Sequence, residues 1–174
     1  MELNVFISAP RQKRFFIENV IEVLKERKDK WFYPPDEFRD LDDRQILDKV
    51  KRKLRQSNLV LMDVSMKCFN GECYPNSGVM IEFGLLVRDP SIGLESAYFF
   101  CDETTDRDHL PPMIPRVEVE QYTEREDNRE NLTKKIRQAL EEFDRTAPER
   151  LRRIQNAKAA AIDLVGYLYG ERSS

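Results

Sequence analysis

The run Leu59-Val60-Leu61-Met62-Asp63-Val64-Ser65 constrains the fold more than any other stretch of the chain. It is apolar without alternation until Asp63. A strand of that kind suits the centre of a parallel sheet, where helices cover both faces. Four other β-rich runs flank it: Leu3 to Ser8, Trp31 to Tyr33, Ala97 to Cys101 and Val117 to Tyr122. Ala9-Pro10 ends the first and Pro34-Pro35 the second. The last alternates, which marks a shorter and more exposed edge strand.

Helical spacing fills the intervals. Phe15, Phe16, Ile17, Val20, Ile21, Val23 and Leu24 recur up to about Lys25. Ile46, Leu47, Val50 and Leu54 define an amphipathic helix from about Asp43 to Gln56. Leu132, Ile136, Leu140 and Phe143 form one stripe, and Pro148 is expected to break that helix. A last helix is then expected from about Glu149 to Tyr169. Met66 to Tyr74 and Asp102 to Pro115 read as loops.

Strands alternating with helices specify an α/β domain with a parallel sheet. Five strands and right-handed crossovers predict a flavodoxin-like three-layer sandwich, sheet order 2-1-3-4-5, plus a C-terminal helix. The domain is expected over residues 1–146 and a helical extension over 147–174.

Composition narrows the function classes. The chain has 174 residues, 40% hydrophobic and 35% charged, with net charge -3. Its basic residues are interleaved with acidic ones, so there is no electrostatic case for nucleic acid. No apolar run approaches the ~20 residues of a membrane span. The chain goes straight from Met1-Glu2-Leu3 into a strand, with no signal-peptide pattern. Cys68, Cys73 and Cys101 are odd in number, and no second Cys or His pair completes a zinc site around Cys68 and Cys73. Free thiols and a cytoplasmic location are expected. His109, the single histidine, stands beside Leu110-Pro111-Pro112, which reads as a loop and leaves no material for a Ser-His-Asp triad. No feature demands a metal.

The stretch Tyr74-Pro75-Asn76-Ser77-Gly78-Val79-Met80-Ile81-Glu82-Phe83-Gly84-Leu85-Leu86-Val87 carries the chemistry. Asn76 and Ser77 are helix-start residues, whose side chains accept from the free N–H groups of a first turn. From Val79 to Val87 every residue except Glu82 is apolar or Gly, as in a buried helix. A carboxylate there must be paired, protonated or used. One reading is structural, a Glu82 that caps a loop or meets an Arg. The other is functional. This fold places ligands at the carboxyl ends of the strands, at the switch between the first and third. There lie Ser8-Ala9-Pro10-Arg11, the segment Pro34 to Arg39, Asp63-Val64-Ser65 and Asn76-Ser77-Gly78, with Glu82 about one turn inside the helix.

The strand "NLVLMDVS", a loop and then "YPNSGVMIEFGLLV" resemble the TIR-like nucleotide-binding proteins and the related nucleoside 2-deoxyribosyltransferase superfamily. The opening "NVFISAP" is similar to their first strand and loop, and the resemblance covers roughly residues 3 to 145. The family's Glu-Leu-Gly is Glu82-Phe83-Gly84 here, and the preceding loop is long and holds Cys68 and Cys73. The resemblance implies that Glu82 acts at the anomeric carbon of a nucleoside or nucleotide. Asp63 becomes the candidate acid for a leaving base, or else a strand-end residue that caps the next turn. Ser8, Ala9, Pro10, Arg11, Ser65, Asn76, Ser77 and Gly78 become the substrate-binding set, with Arg11, Arg14 and Arg39 as candidate phosphate ligands. Three functions stay open: an NAD glycohydrolase, of the kind that serves as a prokaryotic defence effector; a nucleoside or nucleotide glycosidase or 2-deoxyribosyltransferase; and a non-catalytic nucleotide-binding module. NAD would be a substrate, with no cofactor. Self-assembly or a partner protein is expected, because TIR-like sites are often shared between two copies.

Overall fold

The computed structural model describes residues 2–36, 41–69, 72–89, 94–114 and 118–170. In chain order the elements are β1 (Asn4–Ser8), α1 (Arg14–Arg27), β2 (Lys30–Phe32), α2 (Asp43–Gln56), β3 (Leu59–Asp63), β4 (Met66–Phe69), β5 (Glu72–Pro75), α3 (Ser77–Arg88), β6 (Ala97–Asp102), β7 (Val119–Tyr122) and α4 (Arg129–Gly170). Five strands form one sheet in the order β2-β1-β3-β6-β7, and every pairing in it is parallel. The expected flavodoxin-like order is therefore the observed one, with β6 and β7 as the fourth and fifth strands.

Alternation along each strand builds two cores. Val5, Ile7, Leu59, Leu61 and Phe100 pack with α1 and α4 on one face. Phe6, Val60, Met62, Phe99 and Val119 pack with α2 and α3 on the other. Both faces are covered, so the unbroken apolar run of β3 is fully buried. Burying side chains of this size stabilises by ~1.5–3 kcal/mol each.

Local signals set the helix starts. Asp42 and Gln45 form a capping box that opens α2, each side chain bonded to the other's backbone N–H. Asn76 caps α3, its Oδ1 accepting from Val79 N–H at 3.2 Å. A Cβ at position 78 would stand 3.2 Å from that same Oδ1, so glycine leaves the cap room. Asn76→Ala is expected to cost about 1 kcal/mol and to lower Tm by about 2–4 °C, as read by thermal circular dichroism.

Three expectations need correction. The stretch read as a loop before α3 is a β-hairpin, β4 against β5, inserted between β3 and α3. Cys68 and Cys73 are direct partners in that hairpin and form a disulfide, so the free-thiol expectation holds only for buried Cys101. Asn70-Gly71 between them is, in the sequence, a two-residue hairpin signal that sets Cys68 opposite Cys73, and antiparallel pairing brings the two side chains together. Pro148 does not end the helix either. α4 runs through it, and the expected boundary at residue 146 falls inside one continuous element. Pro148 is exposed and has no N–H to give the Asp144 carbonyl one turn earlier. Thr146 Oγ1 donates to the Glu142 carbonyl at 2.9 Å in the preceding turn. Ala147, next to the proline, is buried in the α1–α4 core and holds the helix against the domain. Among the described residues no helix is long and apolar enough to cross a membrane.

Candidate functional site

The carboxyl ends of β1 and β3 face the start of α3 across a crevice of about 370 Å³. Pro10, Gln12 and Lys13 line it from the β1–α1 loop. Ser65 lines it from the end of β3, Met66, Lys67, Tyr74 and Pro75 from the hairpin, and Asn76 and Ser77 from the start of α3. This is the switch point of the sheet, since β1 and β3 are neighbours while their chain connections leave in opposite directions.

Ser8 and Glu82 meet beside the crevice without lining it, the Ser8 hydroxyl donating to Glu82 Oε2. Ser8, the last residue of β1, is fully buried. Glu82 is half-buried on α3, five residues past Ser77, or about 7.5 Å of helix rise. Burial pushes the Glu82 carboxyl up to about 7, and the Ser8 hydrogen bond only partly opposes it. No cation pairs with Glu82 among the described residues. Its contact with Ser8 ties α3 to the end of β1, and no Arg meets it among the described residues.

Asp63 ends the hydrophobic strand, as the resemblance implies. It is fully buried at the end of β3. Its Oδ1 accepts from Ser65 N–H at 2.9 Å, and its Oδ2 accepts from the Tyr122 hydroxyl. Burial raises its carboxyl to about 6, against the Tyr122 and Ser65 hydrogen bonds and the charge of Lys13. Both oxygens are thus engaged inside the protein, and the side chain does not line the crevice. The capping reading of Asp63 fits these contacts.

Behind Asp63 runs a polar chain that no local motif announced. The Tyr122 hydroxyl oxygen also lies 3.3 Å from Glu124 Oε1. Lys13 pairs with Glu124 at 3.0 Å and with Asp102. Asp102 accepts from Thr104 and Thr105, and its own N–H donates to Ser65 Oγ at 2.8 Å. Burial would lower the Lys13 pKa, yet the Asp102 and Glu124 bonds raise it overall. Burial would raise that of Asp102, yet Lys13 and the threonines hold it below the usual carboxylate range. The network ties the ends of β3, β6 and β7 to the start of α1 and stiffens the crevice from beneath.

The other sequence-predicted residues divide. Pro10, Ser65, Asn76 and Ser77 line the crevice. Ala9 is buried in the core. Gly78 serves the cap, and Ser65 Oγ is engaged with Asp102 N–H. Arg11 is exposed and donates to the Pro35 carbonyl at 3.1 Å. Arg14 is exposed on α1. Arg39 lies outside the described residues. His109 is exposed, its Nδ1 2.9 Å from Asp106 Oδ2, as a loop residue. Lys13, Lys67 and Tyr74 were missed; the Asn70-Gly71 signal would have set Lys67 opposite Tyr74, whereas only the β1–α1 loop brings Lys13 to the same crevice. Among the described residues no group of His, Cys, Asp and Glu is arranged to hold a metal ion.

Fold and site together define an α/β protein of flavodoxin-like topology with a buried carboxylate beside its switch-point crevice. No protein-family model matches the chain, and no curated protein matches it.

Proposed function

We propose that the protein cleaves the N-glycosidic bond of a nucleotide by a Glu82-dependent mechanism, with NAD as the favoured substrate. The observation that carries this reading is the Glu82 carboxylate itself: half-buried, beside the switch-point crevice, held by Ser8 and paired with no cation among the described residues. The resemblance of residues 59–87 to TIR-like and deoxyribosyltransferase-like motifs supports the same reading.

The chemistry suits the groups present. Breaking the bond to C1' builds positive charge on that carbon and on the ring oxygen. An ionised Glu82 stabilises this charge, or forms a glycosyl ester that water later opens. In NAD the leaving nitrogen is already cationic. Nicotinamide departs neutral with the bonding electrons, water adds at C1', and one proton is released. No general acid is required, and the engagement of Asp63 by Ser65 and Tyr122 supports a leaving group of this kind. An ordinary purine must be protonated as it leaves, which makes a nucleoside glycosidase or 2-deoxyribosyltransferase the second reading.

The test is product analysis. The protein at high concentration, to favour any assembly, is incubated with NAD and separately with deoxynucleosides and their 5'-monophosphates, and the products are resolved by chromatography. Free nicotinamide is the expected result. Free base from the nucleoside panel alone would transfer the assignment to the second reading. Binding without turnover of any of these compounds would make the protein a nucleotide-binding module.

A further inference from the structure

The hairpin is where this chain departs from the motif it resembles, and it forms one wall of the crevice. Lys67 and Tyr74 are direct partners in the β4–β5 register. Their side chains therefore leave the same face of the hairpin, and both line the crevice. The next pair, Cys68 and Cys73, leaves the opposite face and is joined by the disulfide. A lone two-stranded hairpin is marginal in water, and this one is largely exposed. The disulfide behind the pair holds Lys67 and Tyr74 in register.

The crevice lining contains two lysines and no carboxylate. Lys13 is committed to Asp102 and Glu124. Lys67 is exposed and has no carboxylate partner among the described residues. Beside it, Tyr74 is 54% exposed and lines the same wall. The Tyr74 hydroxyl donates to Glu72, which is not part of the lining.

We propose that Lys67 and Tyr74 form a selectivity element that restricts the site to phosphorylated nucleotides over uncharged nucleosides. Lys67 binds a phosphate oxygen of the ligand, and Tyr74 packs against one of its rings. This inference rests on the Glu82 reading for its location, and its test separates the two.

Full-length protein with the disulfide intact is titrated calorimetrically with ADP and with adenosine. ADP is expected to bind at least about tenfold more tightly, the effect of one charge-assisted hydrogen bond. Lys67→Ala should weaken ADP about tenfold and leave adenosine unchanged, while Lys67→Arg keeps most of the preference. Tyr74→Ala should weaken both ligands alike. Equal affinity of the wild type for ADP and adenosine overturns the proposal, as does a Lys67→Ala variant that affects both equally or neither. Assaying NAD with the same samples tells the two readings apart. The expected binding pattern without nicotinamide release removes the glycohydrolase and leaves the selectivity element standing. Nicotinamide release by Lys67→Ala at an unchanged KM removes the selectivity element and leaves Glu82.

Discussion

Glu82→Gln is expected to lower NAD cleavage by about 10³-fold, because the amide keeps the shape of the side chain and loses the charge that opposes the oxocarbenium ion. Its fold should survive, and its stability should rise. Glu82 sits at about 7 in the folded protein against 4.5 for a free glutamate. The folded state therefore holds a proton that the unfolded state releases, and folding weakens as pH climbs from about 4.5 to about 7. Above that window the full cost of the buried charge is about 3 kcal/mol, from the 1.36 kcal/mol of each pKa unit. Asp63, raised to about 6, acts in the same direction. Denaturant unfolding at pH 5 and at pH 8 should show the wild type losing stability between the two and Glu82→Gln losing less. A variant equally pH-sensitive would place the raised pKa elsewhere. Activity follows the opposite limb. If ionised Glu82 is the working form, kcat/KM rises with pH and levels off above about 7. A profile flat from pH 5 to 8 would exclude Glu82 as the titrating group.

Asp63→Ala is expected to cost about 3–5 kcal/mol, since Ser65 N–H would be left buried without its acceptor and Tyr122 OH would keep only the longer contact to Glu124. For a chain of this size that is a fall in Tm on the order of 10 °C. Asp63→Asn decides between structure and catalysis. It retains one acceptor oxygen and abolishes any acid. NAD cleavage within a few-fold of wild type would fit a residue that only ties β3 to β7. Loss of turnover with Tm little changed would restore Asp63 as a participant in the chemistry.

Much of this architecture is readable along the chain, for physical reasons that differ from element to element. The continuous apolar run of β3 demands cover on both faces, and α1, α2, α3 and α4 supply it. Asn76 caps α3 because side-chain acceptors at a helix start act within four residues. Glu82 stood out because a charge in an apolar helix needs an explanation. The β4–β5 hairpin has a local signal as well, Asn70-Gly71 between two four-residue runs, and reading Met66 to Tyr74 as a loop overlooks it. The continuity of α4 through Pro148 was missed because propensity weighs the lost hydrogen bond and not the packing of Ala147 on α1.

By itself the sequence determined the class of fold, the order of its strands and the one carboxylate worth asking about. The fold class and the carboxylate follow from periodicity, capping and the cost of burying charge, which act over a few residues, and the strand order from the handedness of the crossovers. Tertiary structure alone decided what Glu82 and Asp63 face. Ser8 reaches Glu82 across a separation of 74 residues, and Tyr122 reaches Asp63 across 59. Both carboxylates are pushed up by burial, but one lies beside a crevice with a single hydroxyl for company and the other is enclosed in a network. That difference depends on which strand ends the sheet brings together.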